Sequence, residues 1–504
     1  MVGRLAGRIA GHGYRADAAP FRGASHSRLT ADWILGTTTS ADQDIARSGV
    51  DLRNRSRELC RNNAWAHRYL DMIADNVVGP GVKLQARLQR GDVPDETMND
   101  RIEDAWRRWG EVGQCTVDRR LSWNDVCREI AVARGRDGEV LIRIVEGFDN
   151  AFGFAIQLLD IDQLDETLHV PARAGRNEIR YGIEVDTFGA PVAYHLFDRH
   201  PSESLRGQRI RVPVDQVIHY YRPHRIGATR GVPDLAPIMW DLNMLRGYQE
   251  AELVAARTAA AKGGFLTRTG DIDGGSTDED YDPANPLVMD AEPGTWTELP
   301  VGITAVPVDP THPTTAFPEF IKSTLRSVAS GLGVSYASLN SDLSDANFSS
   351  MREGKNTERD RWIGLQRHLI DHVIMPIYRR WIDAAILRRQ IGGTIRPADL
   401  LRVEWQPRRW AYVDPDKEAQ AGIRQIGAGL TSRTAIAASQ GRDIIDIFRD
   451  LRREEDLARE FGLDITPETS IWPGIRSVED KQEDEKRRSG NSDNATLLRL
   501  TEGG

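Results

Sequence analysis

The sequence predicts an α+β protein whose mixed body sends out and takes back long helices. Three observations carry this. Strand-like segments cluster between residues 139 and 223, with helical patterning on either side. From Pro233, PDLAPIMWDLNMLRGYQEAELVAARTAAAKGG keeps helical character for roughly 28 residues, about 42 Å of helix. The 504 residues exceed what one hydrophobic core organises, so several structural regions are expected.

In chain order, residues 1–30 are rich in Gly, Ala and Arg without a steady period and read as a mobile arm. From Asp51 to Val78, Leu59, Ala66, Tyr69, Leu70, Ile73 and Val77 recur at helical spacing, and Gly79-Pro80-Gly81 stops the run. A second helix is expected near 97–110, with Ile102, Ala105, Trp106 and Trp109 on one face. Ser122 is placed to cap a third, ending near Gly135. EVLIRIV (139–145), FAIQLLDI (154–161), IRYGIEVD (179–186), PVAYHLF (191–197) and DQVIHYYRP (215–223) are strand candidates, and DTFGAP is a hairpin turn between the third and fourth.

The long helix after Pro233 places its prolines early, where missing donors cost least, and Gly263-Gly264 ends it. Leu235, Ile238, Leu242 and Leu245 form its first apolar stripe. Its second half is small-chained (Ala255, Ala256, Ala259, Ala260), which lets a neighbouring helix approach closely. Residues 267–317 read as an acidic loop and short strands broken by prolines. Helical patterning returns at 318–334. The stretch NSDLSDANFSS that follows is a polar loop, and a long helix from Met351 to Gln390 buries Trp362, Leu365, Leu369, Val373, Ile377 and Trp381, with a kink at Pro376. Thr431 or Ser432 caps a short helix, Asp443 opens another, and 479–495 reads as disordered tail.

Composition narrows the function. A net charge of -9 lacks the basic excess of a protein that grips DNA tightly. The three cysteines, Cys60, Cys115 and Cys127, have no CxxC spacing and read as free, buried thiols in a reducing compartment. No run of about 18 apolar residues suggests a membrane span, and MVGRLAGRIAGHGYRADAAP has no signal-peptide core. Walker A, GxSxG and GxGxxG motifs are missing, since Lys262 precedes its glycines. HLIDH (His368, Asp371, His372) puts two imidazoles one turn apart, but Asp is short for the zincin Glu, and a packing or interface role is favoured over metal. DIDGGSTDEDYD (271–282) opens like a calcium loop but departs at Gly275 and Ser276 and reads as solvated. LLDIDQLDE (158–166) reads as a strand ending in an acidic turn, with an acid–base or metal pair as the alternative. No cofactor is expected.

Five words in fixed order carry a resemblance. RSRELCRNNAWAHRYLDMIADNVVGPGVKL, RGRDGEVLIRI, RYGIEVDTFGAPVAYHLF, VIHYYRPHRIGATRGVPDLAPI and YVDPDKEAQAGIRQIGAGLTSRT resemble segments of the lambda-type portal proteins of tailed bacteriophages. The likeness spans about residues 50–460. Ala228-Thr229 stand where the family usually has Gln, and 265–317 align poorly.

The resemblance implies the portal fold: an N-terminal arm (1–30), a wing (31–232), a first stem helix (233–262), a clip (263–317), a second stem helix (318–334), a tunnel loop (335–350), a kinked helix returning to the wing (351–425), a crown (426–478) and a tail (479–504). It implies a homo-oligomeric ring of twelve copies at one capsid vertex of the virion, assembled in the host cytoplasm, with double-stranded DNA passing through. Terminase large subunit, head-completion or adaptor proteins and the major capsid protein are the implied partners, and no catalysis by the chain itself. On this reading Asp342, Ser344, Asp345 and Asn347 face DNA, or else form an external surface loop. Lys322 and Arg326 line the channel or lie on a solvated face. Ala255, Ala256, Ala259 and Ala260 pack between subunits. An acidic ring suits a duplex that must slide, because phosphate contacts are what make DNA binding tight. The rivals are another phage structural or scaffold protein, and a metal-dependent hydrolase using His368, Asp371 and His372.

Overall fold

The computed structural model describes residues 39–90, 93–203, 207–260, 264–268, 303–307, 317–344, 348–392, 399–410 and 415–463. The chain divides into two compact units, one reaching Arg408 and one beginning at Arg409.

The first unit opens with α1 (Ala41–Asn62), which starts ten residues before the periodic run suggested. Ser40 caps it in a reciprocal capping box with Gln43. The single helix expected to Val78 is broken at Asn63, which has extended backbone and whose side chain caps α2 (Ala64–Ile73) by accepting from the N–H groups of Trp65 and Ala66. Apolar spacing runs through such a break unchanged, so periodicity alone does not reveal it. A wide turn, Ala74–Val78, then leads to Gly79 at φ 57°.

Helices α3 (Glu96–Trp109) and α4 (Trp123–Asp137) match expectation, with Ser122 capping the latter through Asp125. The strands β1 (Lys83–Ala86), β2 (Gln89–Arg90) and β3 (Val93–Pro94) lie between α2 and α3. A three-stranded antiparallel sheet has the order β10-β4-β5, from β4 (Glu139–Glu146), β5 (Phe154–Leu159) and β10 (Val217–Tyr221). A second, four-stranded, runs β6 (Glu178–Arg180), β7 (Ile183–Val185), β8 (Pro191–Phe197), β9 (Arg209–Pro213). The expected strand 179–186 is split because Tyr181 and Gly182 both take positive φ. The turn before Pro191 is closed by Asp186, whose carboxylate accepts from the N–H groups of Phe188 and Ala190.

Helix α5 (Met239–Ala260) follows a short 3-10 turn, and Leu235, Ile238, Leu242 and Leu245 are all buried as the stripe required. Beyond it, β11 (Gly264–Arg268) and β12 (Ile303–Pro307) pair as an antiparallel ribbon. Helix α6 (Phe317–Leu332) returns. Within 335–350, the range the resemblance gives to the tunnel loop, α7 spans Tyr336–Asn340, and α8 (Phe348–Leu369) begins before the expected polar stretch, 340–350, has ended. Ser335 supplies the cap that makes α7 possible, its hydroxyl accepting from the Ser338 N–H. Apart from the cap Ser335, only 341–344 are non-helical among the described residues of that range.

The long helix does bury its whole stripe, Trp362 to Trp381. At the expected kink the helix widens into a π turn, Ile370–Ile374, before α9 (Met375–Leu387), which carries Pro376. Proline lacks the N–H that would continue the ladder, and a wider turn absorbs the misfit. The returning chain completes the body. Strand β13 (Val403–Gln406) pairs with β1, and Trp106 of α3 gathers Trp109, Trp123, Tyr378, Trp381 and Trp405 at centroid distances of 4.8–5.6 Å. Tilted and edge-on aromatic pairs of this kind add about 0.5–1.5 kcal/mol each beyond burial. Cys60, Cys115 and Cys127 are free and buried, and burial raises each thiol's pKa.

The second unit holds α10 (Pro415–Gly427), α11 (Arg433–Ser439), capped by Ser432, and α12 (Ile444–Phe461), capped by Asp443.

Candidate functional site: the outgoing helix pair and its roots

Helices α5 and α6 run antiparallel. Tyr248, midway along α5, stacks near Phe317 and Phe320 at the start of α6 (5.4 and 5.2 Å). At the other end, a side chain on Gly331 of α6 would collide with Ile238. The second half of α5 therefore extends beyond the first residue of α6. Ala255 and Ala256 lie there half-buried, beside Leu253 and Val254, which remain 61% and 56% exposed. Ala259 and Ala260 close the helix, and their side chains lie outside the described residues.

The root of α5 is set by two buried ionic centres. In the first, Arg134 of α4 forks onto Asp234 at 2.8 and 2.7 Å. The Tyr69 hydroxyl donates to the same carboxylate (2.9 Å) and accepts from Arg361 of α8 (3.0 Å). The Arg361 side chain also lies over Gly333, at the end of α6, whose φ of 64° and lack of Cβ make room for it. One network thus links Asp234, in the segment leading into α5, to α4, α2 and α8, and packs against the end of α6 at Gly333.

In the second, Glu139 accepts from Arg230 Nε and Nη2 (2.9 and 2.6 Å), the Gly231 N–H (3.0 Å) and the His219 ring (2.9 Å). Burial alone would raise the Glu139 pKa, but Arg230 and His219 hold it well below the carboxylate range. The two backbones touch: a Cβ on Gly231 would meet the Gly138 carbonyl, and one on Gly138 (φ 90°) would meet the backbone at 232–233. The segments RGRDGEVLIRI and VIHYYRPHRIGATRGVPDLAPI therefore meet face to face, at Gly138 of the first and residues 231–233 of the second. Around them Thr229 donates to Asp42 (2.7 Å) and Arg225 to Asp44 (2.9 Å).

The acidic turn at 160–166 joins this centre. Arg57 bonds Asp137 (2.7 Å) and Asp160 (2.8 Å), while Arg53 and Arg230 both reach Glu166 and Arg209 pairs with Asp165. Asp160, Asp162 and His200 have ligand atoms close enough for a cation, but the Arg57 guanidinium already supplies the positive charge. The turn is an ion-paired strand end. Its α1 partners, Arg53 and Arg57, lie about a hundred residues away, where no local motif could show them.

At the polar turn, Asp342 is half-buried. It accepts from the Tyr336 hydroxyl (3.0 Å) and the Ser344 N–H (3.0 Å), contacts that hold its carboxyl below the usual range, Ser344 foremost. Asn340 donates to Tyr336 and accepts from Trp65 Nε1, both at 3.0 Å. The Arg326 guanidinium lies over the Tyr336 ring at 5.7 Å. Lys322, half-exposed one turn earlier, adds positive charge near Asp342. Ser344 is exposed. Asp345 and Asn347 lie outside the described residues, as does the acidic stretch 271–282. The structure thus brings Lys322, Arg326 and Asp342 together around Tyr336 and Asn340. Sequence reasoning passed over those two, although their place beside the polar stretch was a usable signal.

In HLIDH the His368 and His372 rings stack at 4.1 Å and Asp371 is exposed. Burial, then His372, Arg222 and Arg134, push the His368 pKa down to about 4. Two neighbouring guanidinium groups oppose a bound cation there, and His368 packs against Tyr220.

Three comparisons bear on this arrangement. The family model for "Phage portal protein, lambda family" matches residues 26–366. A probable portal protein of Halomonas phage phiHAP-1 is 30% identical over 477 residues, covering 92% of each chain. Portal protein B of Escherichia phage lambda is 24% identical over 460 residues, covering 81% of this chain and 84% of the relative. Among solved structures, a chain in the neck of a native gene transfer agent particle, computed with C12 symmetry, matches at TM-score 0.43 and 16% identity over 79% of this chain and 94% of that one. The match across body, helix pair and α8, with a relative alike along nearly the whole length, shows that this chain belongs to the lambda family of phage portal proteins.

Proposed function

We propose that copies of this chain close into a ring, twelve by the family resemblance, at one capsid vertex, and that the α5–α6 pairs wall a channel for double-stranded DNA. The observation that carries this is the second half of α5. It runs past its own partner helix with small side chains on one part of its surface and exposed Leu253 and Val254 on another. A helix of that kind suits close packing against a neighbouring copy. On this reading β11 and β12 belong to the clip, the turn at 341–344 leads into a lumenal loop with Asp345 and Asn347, and the second unit contributes to the crown. Lys322 and Arg326 flank the loop's root.

Translocation of DNA needs a wall that does not hold it. Net charge -9 per copy supports a weakly binding lumen. The ring offers docking surfaces to the terminase large subunit and then to head-completion proteins, with the ATPase supplied by terminase and no turnover by the portal. Electron microscopy of the purified oligomer tests the proposal: rings with an axial opening wide enough for a duplex are expected. A chain that remains monomeric under all conditions, or assembles without an opening, refutes it, and ATP hydrolysis by the chain alone refutes the non-catalytic role.

A further inference from the structure

The described part of the second unit has almost no interior. Among its described residues, only Ala437 and Ala458 are buried. Yet its helices are strongly patterned. On α12 the residues Ile444, Ile447, Leu451, Ala458 and Phe461 recur at alternating steps of three and four, the spacing of a helix seam that expects a partner helix, interrupted only by Glu454. Leu451 and Phe461 are exposed, the latter 73%. A separate apolar edge lies on α10 and the turn after it, where Ile423 and Leu430 are exposed, Leu430 to 80%. Helix α11 does not cover that edge: it meets α10 on the side of Gly422, against Ile436.

Charge selects the occupant. Helix α12 carries four arginines against six carboxylates, interleaved along its length, so it lacks the basic excess a nucleic-acid partner requires. A flank of alternating sign suits a helix of similarly mixed charge, and α10, with Asp416, Lys417, Glu418 and Arg424, is one. Two different apolar faces on one unit are what a head-to-tail contact needs, and such contacts generate rings when the rotation closes.

We propose that α12 of one copy seats its seam on the α10 edge of the next copy, making the second unit a contact that helps close the ring. The inference rests on the ring reading above. Its test uses the full chain. Ile423→Cys and Leu451→Cys copies, co-expressed and oxidised, should give a mixed disulfide dimer that neither gives alone, and the double variant should give a ladder of covalent oligomers. A chain carrying Leu451→Glu and Phe461→Glu, both at exposed positions, should retain its helix content but lose rings at concentrations at least tenfold above those where the wild-type ring dissociates, read by mass photometry. Wild-type rings with equally stable rings from the glutamate variant overturn this inference and leave the channel reading standing. A disulfide that closes within one chain also overturns it. A wild-type chain that never assembles overturns both.

Discussion

Glutamine at position 139 is the sharpest perturbation of the body that carries α5. Glu139 is 2% exposed, and its carboxylate meets two donors of Arg230, the Gly231 N–H and the His219 ring, all within 3.0 Å. Glu139→Gln keeps the shape but removes the charge and turns one acceptor into a donor facing a guanidinium that is itself buried. Removing one partner of a buried pair costs about 3–5 kcal/mol, because the survivor is left uncompensated. At 1.36 kcal/mol per decade, native-state hydrogen exchange at β4 and β10 should accelerate by about two to nearly four decades. Glu404→Gln is the control. Its pair with Arg87 spans 3.0 Å, but Glu404 is 64% exposed, so its loss should cost less than about 1 kcal/mol. The pH dependence has a definite sign. The folded carboxyl lies well below its unfolded value of about 4.3, so its stabilisation is present above that pH and is lost as pH falls below it. Glu139→Gln should flatten that acid limb. The double variant Glu139→Gln/Arg230→Met should cost less than the sum of its parts by more than about 0.5 kcal/mol. Equal exchange in the 139 and 404 variants, with additive double-variant costs, would refute a net role for the buried centre.

Four further outcomes follow from the same geometry. Gly138→Ala forces a side chain into the backbone at 232–233 from a left-handed conformation, and should lower soluble yield and unfolding midpoint more than Gly247→Ala, which has open space. Trp381→Ala removes an indole packed against Trp106, Trp109, Phe152 and Tyr378, and a loss of about 3–5 kcal/mol in chemical denaturation is expected. His368, depressed to about 4 from 6.5, binds its proton more readily in the unfolded chain, so stability should fall as pH drops between those values, and His368→Gln should lessen that slope in a pH series of thermal melts. Asp342→Ala frees the Tyr336 hydroxyl and the Ser344 N–H, and hydrogen exchange at Ser344 should quicken with no change at β4.

What could be read from the sequence was what periodicity and local caps encode. The buried stripes of α5 and of α8–α9, the Ser122 and Asp443 caps and the strands β4, β5, β8 and β10 depend on residues within a few positions of one another. The break at Asn63 and the helix α7 were missed because single polar side chains decide them: Asn63 by capping forward, Ser335 by capping a turn that composition describes as loop. The roots of the helix pair were illegible for a different reason. Arg134 reaches Asp234, Arg361 reaches Tyr69 and Arg230 reaches Glu139 across sequence gaps of 100, 292 and 91 residues, and no local pattern announces such pairings. Yet Arg134 and Arg230 are buried, and a buried guanidinium without its carboxylate is costly. That asymmetry gives the arrangement its use. On the proposed ring reading, the outgoing helix can present its small-chained second half to a neighbouring copy only if its direction is fixed at the root, and two charged centres that punish misplacement fix it more sharply than apolar contact, which tolerates sliding.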